Sequence, residues 1–430
     1  MPRITGASRT GAARLAAGLL VVPLALLTAC SSDGGKADPK ETGGAISGDP
    51  VGGGGKNKGA APPAALAIAP ADGAKSVETD GALTVDATNG KVTSVTVADA
   101  KGKAVEGKTS ADGAKWTPAT PLANNTKYTV AAKAANADGV EVTANSSFTT
   151  VAAGKTFEYS YLPDADTGDK LGVGTIISVK FNKPVKDKAA IERNLSVVAE
   201  PATEGSWAWV MDHDGNERVD YRPKEYWKPG TKVTWKANLA GAKSADGTYG
   251  TQNRGGTFTI GDSIVATADL KAKQMTVKKN GEVIHTLPIS AGGPSYATWT
   301  GTMVVMDKVD GIDMNSETVG LPGEYNMQNV RYAVHMTASG TYAHAAPWNE
   351  GKFGKLNDSH GCIGMSTANA GKFFNTVNTG DVIEVINGTE KKVKYGNGWG
   401  DWNADWDTWL KASAVANPGA TVTPLGSTSS

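Results

Sequence analysis

Two cysteines occur in the chain, and their settings differ. Cys362 stands in Ser359-His360-Gly361-Cys362, eighteen residues after His344, while Cys30 closes Leu27-Thr28-Ala29-Cys30 behind an apolar run. A thiol attacks a carbonyl as its thiolate, and an ordinary cysteine is little ionised at neutral pH. It therefore needs a base, and His335, His344 and His360 are the candidates by sequence. His335 falls inside the alternating run Tyr332-Ala333-Val334-His335-Met336 and reads as a strand residue. His360 would share a face with Cys362 in an extended segment, though not at a turn. His344 closes the run Gly340-Thr341-Tyr342-Ala343 and opens the glycine-containing loop that ends at Cys362. A loop with base and nucleophile at its two ends suits an active site on a β scaffold. Gly361 allows close substrate approach and backbone N–H donation to an oxyanion.

Arg3, Arg9 and Arg14, then Leu15 to Leu27, make residues 1–30 an export signal. Its last four residues resemble a bacterial lipobox, so Cys30 is expected to carry the lipid. Acyl chains contribute ~0.8 kcal/mol per buried methylene, and several on one residue give a stable membrane anchor. That leaves Cys362 as a lone thiol outside the cytoplasm, where two free cysteines would normally pair. A thiol oxidoreductase would need a resolving cysteine, and none is present.

Lysine plus arginine equals aspartate plus glutamate at 43 each, so no basic field exists to attract nucleic acid. Residues 31–63 are rich in glycine, proline and charge, which predicts a disordered tether. From Ala64 onward, short alternating runs and glycine turns predict a mostly β chain. Thr126-Lys127-Tyr128-Thr129-Val130, Ala137-Asp138-Gly139 and Phe148-Thr149-Thr150 are echoed by Thr231-Lys232-Val233-Thr234-Trp235, Ala245-Asp246-Gly247 and Phe258-Thr259-Ile260. A repeat of this length predicts two tandem immunoglobulin-like β-sandwiches, 64–150 and 151–261. Val92, Val95, Val97, Tyr128, Val130 and Ala132 are the expected core of the first; Trp207, Trp209, Tyr221, Tyr226, Trp227 and Trp235 read as packing in the second. Asp212-His213-Asp214-Gly215-Asn216-Glu217 imitates a calcium loop but lacks the required glycine and terminal glutamate spacing, so it reads as a polar turn.

Beyond Gly261 the repeat stops. Asn280-Gly281 predicts a type I′ hairpin turn, and 301–306, 331–336 and 381–386 read as strands. Ser366 to Val377 is a helix candidate with Ser366 or Thr367 as N-cap. Trp402, Trp406 and Trp409 have helical spacing, with Asp401 and Asp405 in the first turn, and predict an amphipathic cap within 388–416. The tail 417–430 is expected to fray.

His344-Ala345-Ala346-Pro347-Trp348, Asn357 through Ser366, and the Gly400-Asp401-Trp402-Asn403 segment together resemble the L,D-transpeptidase (YkuD-type) family. The resemblance is to actinobacterial members with two immunoglobulin-like domains, and it spans about Ala64 to Lys411. It implies a β-rich catalytic domain over 262–387 and a short C-terminal helical segment. It implies Cys362 as nucleophile, His344 as general base oriented by the backbone carbonyl of Ala345, and an oxyanion hole of backbone N–H groups around Gly361 and Cys362. His360 and Ser359 complete the motif. Tyr325, on a lid running from about Asp307 to Arg331, is expected to face the oxyanion, with Met306 lining the same pocket. Relatives often carry Ser at position 345, and Arg or Asn where this chain has Gly364.

The implied reaction is acyl transfer on peptidoglycan. Cys362 takes the carbonyl of the third residue of a tetrapeptide stem and releases D-alanine. The side-chain amine of a second stem then forms a 3→3 cross-link. No metal or cofactor is implied, and the expected enzyme is an extracytoplasmic, lipid-anchored monomer. Resolution of the thioester by water (an L,D-carboxypeptidase) or by a protein amine (an anchoring enzyme) uses the same residues. A wall-binding lipoprotein without catalysis would need neither Cys362 nor His344.

Overall fold

A computed structural model of the protein describes residues 60–163, 170–389 and 392–427. Cys30 and most of the expected tether lie outside them. Among the described residues no helix is long and apolar enough to cross a membrane.

The chain is mostly β. In the first sandwich one sheet orders Ala65–Ala69, Thr84–Thr88, Lys115–Pro118 and Gly107–Thr109, and the other Ala74–Val77, Glu141–Thr150, Lys127–Ala135 and Lys91–Asp99. The alternation along Lys127–Ala135 turns Tyr128, Val130, Ala132 and Ala134 inward against Val97, Trp116 and Phe148. Val92 and Val95 pack at the margin of this core.

In the second sandwich, Tyr159–Leu162, Ile177–Phe181, Glu217–Pro223 and Gly205–Met211 face Lys170–Leu171, Asn253–Ile260, Lys232–Asn238 and Leu195–Glu200. Trp207, Trp209, Tyr221, Trp227 and Trp235 are buried between the sheets, and Tyr226 packs at their edge. The polar sequence 212–217 is indeed a hairpin turn: Asp212 Oδ1 accepts the N–H groups of Asp214 and Asn216, and Lys180 neutralises its carboxylate.

The last domain holds a five-stranded sheet, Glu282–Pro288, Gln274–Lys279, Ile264–Asp269, Val382–Ile386 and Gly301–Val304. Asn280 and Gly281 both take positive φ (50° and 88°) at its first hairpin, as a type I′ turn demands. A four-stranded sheet follows: Asp307–Val309, Ala333–His335, Tyr342–Ala345 and Ile363–Met365. Helix Thr367–Thr376 covers it, capped by Ser366 accepting from the Asn369 N–H, with Phe373 and Val377 buried beneath.

The C-terminal tryptophans do not form one helix. A 3-10 turn over Gly400–Asn403 is broken at the extended residue Ala404, and a helix restarts at Trp406–Lys411 with Asp405 as its N-cap. Asp401 does not serve that helix; it pairs with Arg218 of the second sandwich at 3.1 Å. Trp409 is fully buried and donates from Nε1 to Ser206 O, and the Arg222 guanidinium lies over its ring at 4.7 Å. Trp402 Nε1 donates to Gly174 O and Asn403 bonds Thr302, so this segment ties the catalytic domain to the second sandwich. The expected fraying of the tail is corrected through Ser427. The Leu425 N–H donates to Trp209 O, the Met211 N–H donates to Leu425 O, and Val422 is buried. These backbone bonds hold a sequence whose composition alone suggests disorder.

Candidate active site

Strands Tyr342–Ala345 and Ile363–Met365 run parallel, with His344 opposite Gly364. Side chains two residues apart on a strand share a face, so Cys362 falls on the face that carries His344. The glycines of the connecting loop let the chain turn back: Gly361 has φ +112°, a region a side chain disfavours. Cys362, His344, Ser359, His360 and Gly364 line one cavity of about 250 Å³, together with Trp348, Asp358 and the lid residues Met314, Tyr325 and Met327.

Cys362 is half-buried, and its sulfur is closely surrounded. The Tyr342 N–H donates to Cys362 Sγ at 3.4 Å. Burial pushes the thiol up to about 11, against a small opposing effect of that N–H. Burial likewise depresses the basicity of His344, which is 4% exposed. Both groups are thus neutral in the substrate-free protein. His344 Nδ1 lies 2.8 Å from Ala345 O. A carbonyl only accepts, so Nδ1 carries the proton and Nε2 holds the lone pair. Such an imidazole can take the thiol proton as a carbonyl is attacked.

Ser359 organises the turn: its hydroxyl donates to Cys362 O and accepts the Gly361 N–H at 3.2 Å. That engagement removes the Gly361 N–H from the donors expected to face an oxyanion. The His360 ring is held between Tyr296 (4.5 Å) and Tyr325 (5.2 Å), with Nε2 3.5 Å from Glu324 on the lid.

The lid is a hairpin of Ile312–Asn315 and Asn326–Val330. Arg331 and Asp310 close its base in a two-point ion pair, and Met314 and Val330 give it a small buried core. Tyr325 borders the cavity, and its phenol is pushed up by burial and by the nearby Cys362. Met306 is elsewhere. It lines a cleft with Tyr161, Arg218 and Trp399, against the second sandwich, because the chain turns after Gly301–Val304 and its side chain packs beside Gly398. Gly364 is close-packed: a Cβ there would lie 3.0 Å from Ala346 Cβ.

Sequence reasoning placed His335 in a strand and outside the site. It does lie in a strand, yet its ring borders a second cavity that also reaches Cys362. The signal available in sequence was its partner, Asp307, which no local spacing connects to it.

A thiol and an oriented imidazole in one cavity beneath a hairpin lid make a candidate cysteine acyltransferase site. A family model for the L,D-transpeptidase catalytic domain (YkuD) matches residues 263–385, and one for a bacterial Ig domain (Big_10) matches residues 74–243. L,D-transpeptidase 2 of Mycobacterium tuberculosis is 35% identical over 350 residues, 80% of this chain and 84% of that protein. L,D-transpeptidase 5 of the same species is 35% identical over 366 residues, 84% of this chain and 79% of that protein. A solved structure of LD transpeptidase LdtMt1 in complex with imipenem is 35% identical, with 53% of this chain and 97% of that chain covered and a TM-score of 0.45. The chain belongs to the L,D-transpeptidase family, enzymes that act on peptidoglycan.

Proposed function

We propose that this enzyme forms 3→3 cross-links between peptidoglycan stem peptides through a thioester on Cys362. The observation that carries the reading is Cys362 and the oriented His344 in one cavity under a lid. As the thiol meets the carbonyl of the donor's third residue, His344 Nε2 takes its proton and later gives it to the departing D-alanine amine. The Cys362 N–H and the Tyr325 hydroxyl receive the oxyanion. The amine of a second stem then displaces the thiolate. His360, between Tyr296, Tyr325 and Glu324, positions the lid. The two sandwiches, 64–150 and 151–261, hold the catalytic domain 262–387 away from a membrane anchor at Cys30, and the protein acts as a monomer outside the cytoplasm.

Incubation with a disaccharide-tetrapeptide muropeptide is expected to release D-alanine and yield cross-linked dimers. Trimmed tripeptides alone would assign the enzyme to hydrolysis instead. On a Cys30→Ala protein, a carbapenem should add the mass of one drug molecule per chain, and the adduct should vanish in Cys362→Ala. A titratable thiol without adduct or D-alanine release would leave a wall-binding lipoprotein. Separately, Cys30→Ala should move the protein from membrane to medium or leave it unprocessed; unchanged attachment would remove the lipid anchor from this account.

A further inference from the structure

Cys362 lies at the meeting of two cavities, one lined by His344 and His360 and the other by His335. The cavity of about 250 Å³ contains His344; the other, of about 290 Å³, contains His335. Met314 and Tyr325 of the lid border both. In the second cavity the lid contributes Asp313, Asn315 and Thr318, and neither lysine nor arginine lines it. Oxygen-bearing side chains with an acidic member suit an amine, which is a donor and a cation when protonated.

His335 is oriented as bases in acyl transfer are. Its Nδ1 lies 3.0 Å from Asp307 Oδ2. An ionised carboxylate only accepts, so Nδ1 donates and the neutral ring keeps its lone pair on Nε2. The ring stacks flat on Tyr342, centroids 4.4 Å apart and planes within 7°. The Tyr342 N–H in turn reaches Cys362 Sγ. His335 and Tyr342 are therefore cross-strand neighbours, where strand Ala333–His335 pairs with Tyr342–Ala345, and the backbone of Tyr342 links them to the sulfur.

We infer that His335, held by Asp307, is the base for the acceptor amine, which enters through the second cavity; the inference rests on the cross-linking reading above. In this step the acceptor ammonium gives one proton to His335 Nε2, the freed amine nitrogen forms a bond to the thioester carbonyl carbon, and its second proton passes to solvent. The C–Sγ bond breaks and Cys362 leaves as thiolate with that electron pair. One proton transfer from the His335 imidazolium to the thiolate restores the neutral thiol and imidazole. His344 serves the donor half of the cycle from the first cavity. Two bases let the second stem approach without waiting for the first cavity to empty.

The test separates the two halves of the cycle in the full-length protein and its His335→Gln and Asp307→Asn variants. The acyl-enzyme is formed from disaccharide-tetrapeptide, and D-alanine release is timed. It is then chased either with a disaccharide-tripeptide carrying the free diamino acid amine or with hydroxylamine, which is already deprotonated at neutral pH and needs no base. The expected result for His335→Gln is a loss of about 10²-fold in the tripeptide chase, the scale of positioned base catalysis. D-alanine release and the hydroxylamine chase should change little, and Asp307→Asn should show the same pattern more weakly. A tripeptide chase unchanged in both variants overturns the inference. Parallel loss in all three readouts also overturns it, by making His335 a structural residue. Absence of D-alanine release from the unmodified protein is a different failure, and removes the cross-linking reading together with this one.

Discussion

Nδ1 of His344 is 2.8 Å from the carbonyl oxygen of Ala345, the residue that follows it. The bond is made by backbone, so the orientation of the imidazole does not depend on which side chain stands at 345. His344→Ala is expected to slow acylation by roughly 10²–10⁴, the range for a positioned base. Ala345→Ser should leave the acylation rate close to that of the parent, because the same carbonyl accepts the same proton. Stopped-flow acylation by a carbapenem measures both, and a large loss in Ala345→Ser would contradict the backbone account.

Burial holds the Cys362 thiol near 11 and lowers the basicity of His344. The resting pair is therefore thiol and imidazole, not thiolate and imidazolium. Alkylation of a Cys30→Ala protein by iodoacetamide should be slow at pH 7 and climb steadily toward pH 11. A rate plateau already reached below pH 7 would show a preformed ion pair and refute the neutral resting state.

Gly364 lines the Cys362 cavity, and a Cβ there would sit 3.0 Å from Ala346 Cβ. Gly364→Asn should cost about 1–3 kcal/mol by overpacking and slow acylation by narrowing the cavity. Urea unfolding and carbapenem acylation measure the two effects. An Asn variant both as stable and as fast would show that Ala346 moves aside without cost.

Asp381 is 1% exposed and its carboxyl is pushed up to about 7, chiefly by burial, with a smaller push from Asp262. The Asn378 N–H and Lys308 pull the other way. The folded protein thus holds this proton more tightly than the unfolded chain does. The associated stabilisation is complete at low pH and is lost as pH rises from the ordinary carboxylate range through 7. The carboxyl sits where Gly172 and Gly174 of the second sandwich donate to Thr379 O and Gly380 O. Thermal midpoints should accordingly fall less between pH 6 and 8 in Asp381→Asn than in the parent. Identical slopes would mean that Asp381 is ionised throughout.

Local chemistry was legible wherever a few adjacent residues decide it. Asn280-Gly281 announced its hairpin because positive φ is a property of those residues. Ser366 announced its helix start because capping is settled within one turn. The lone thiol of Cys362 and its nearby histidines announced nucleophilic chemistry, and the alternation of Tyr128, Val130 and Ala132 announced a sandwich face. The tryptophan run misled because spacing cannot register Ala404, whose extended backbone divides two short helical pieces. The tail misled because Leu425 gains its order from Trp209 and Met211, more than two hundred residues away.

By itself the sequence determined the strand-rich class, the repeat, and the candidate thiol with its motif, since each rests on residue types at short separation. Tertiary structure alone decided which groups share a space. It set Met306 against the second sandwich, engaged the Gly361 N–H with Ser359, and brought His335 and Asp307 to the far side of Cys362. The reason is physical: strand pairing joins residues across any length of chain, and the face a side chain takes depends on the register of that pairing, which no single segment encodes.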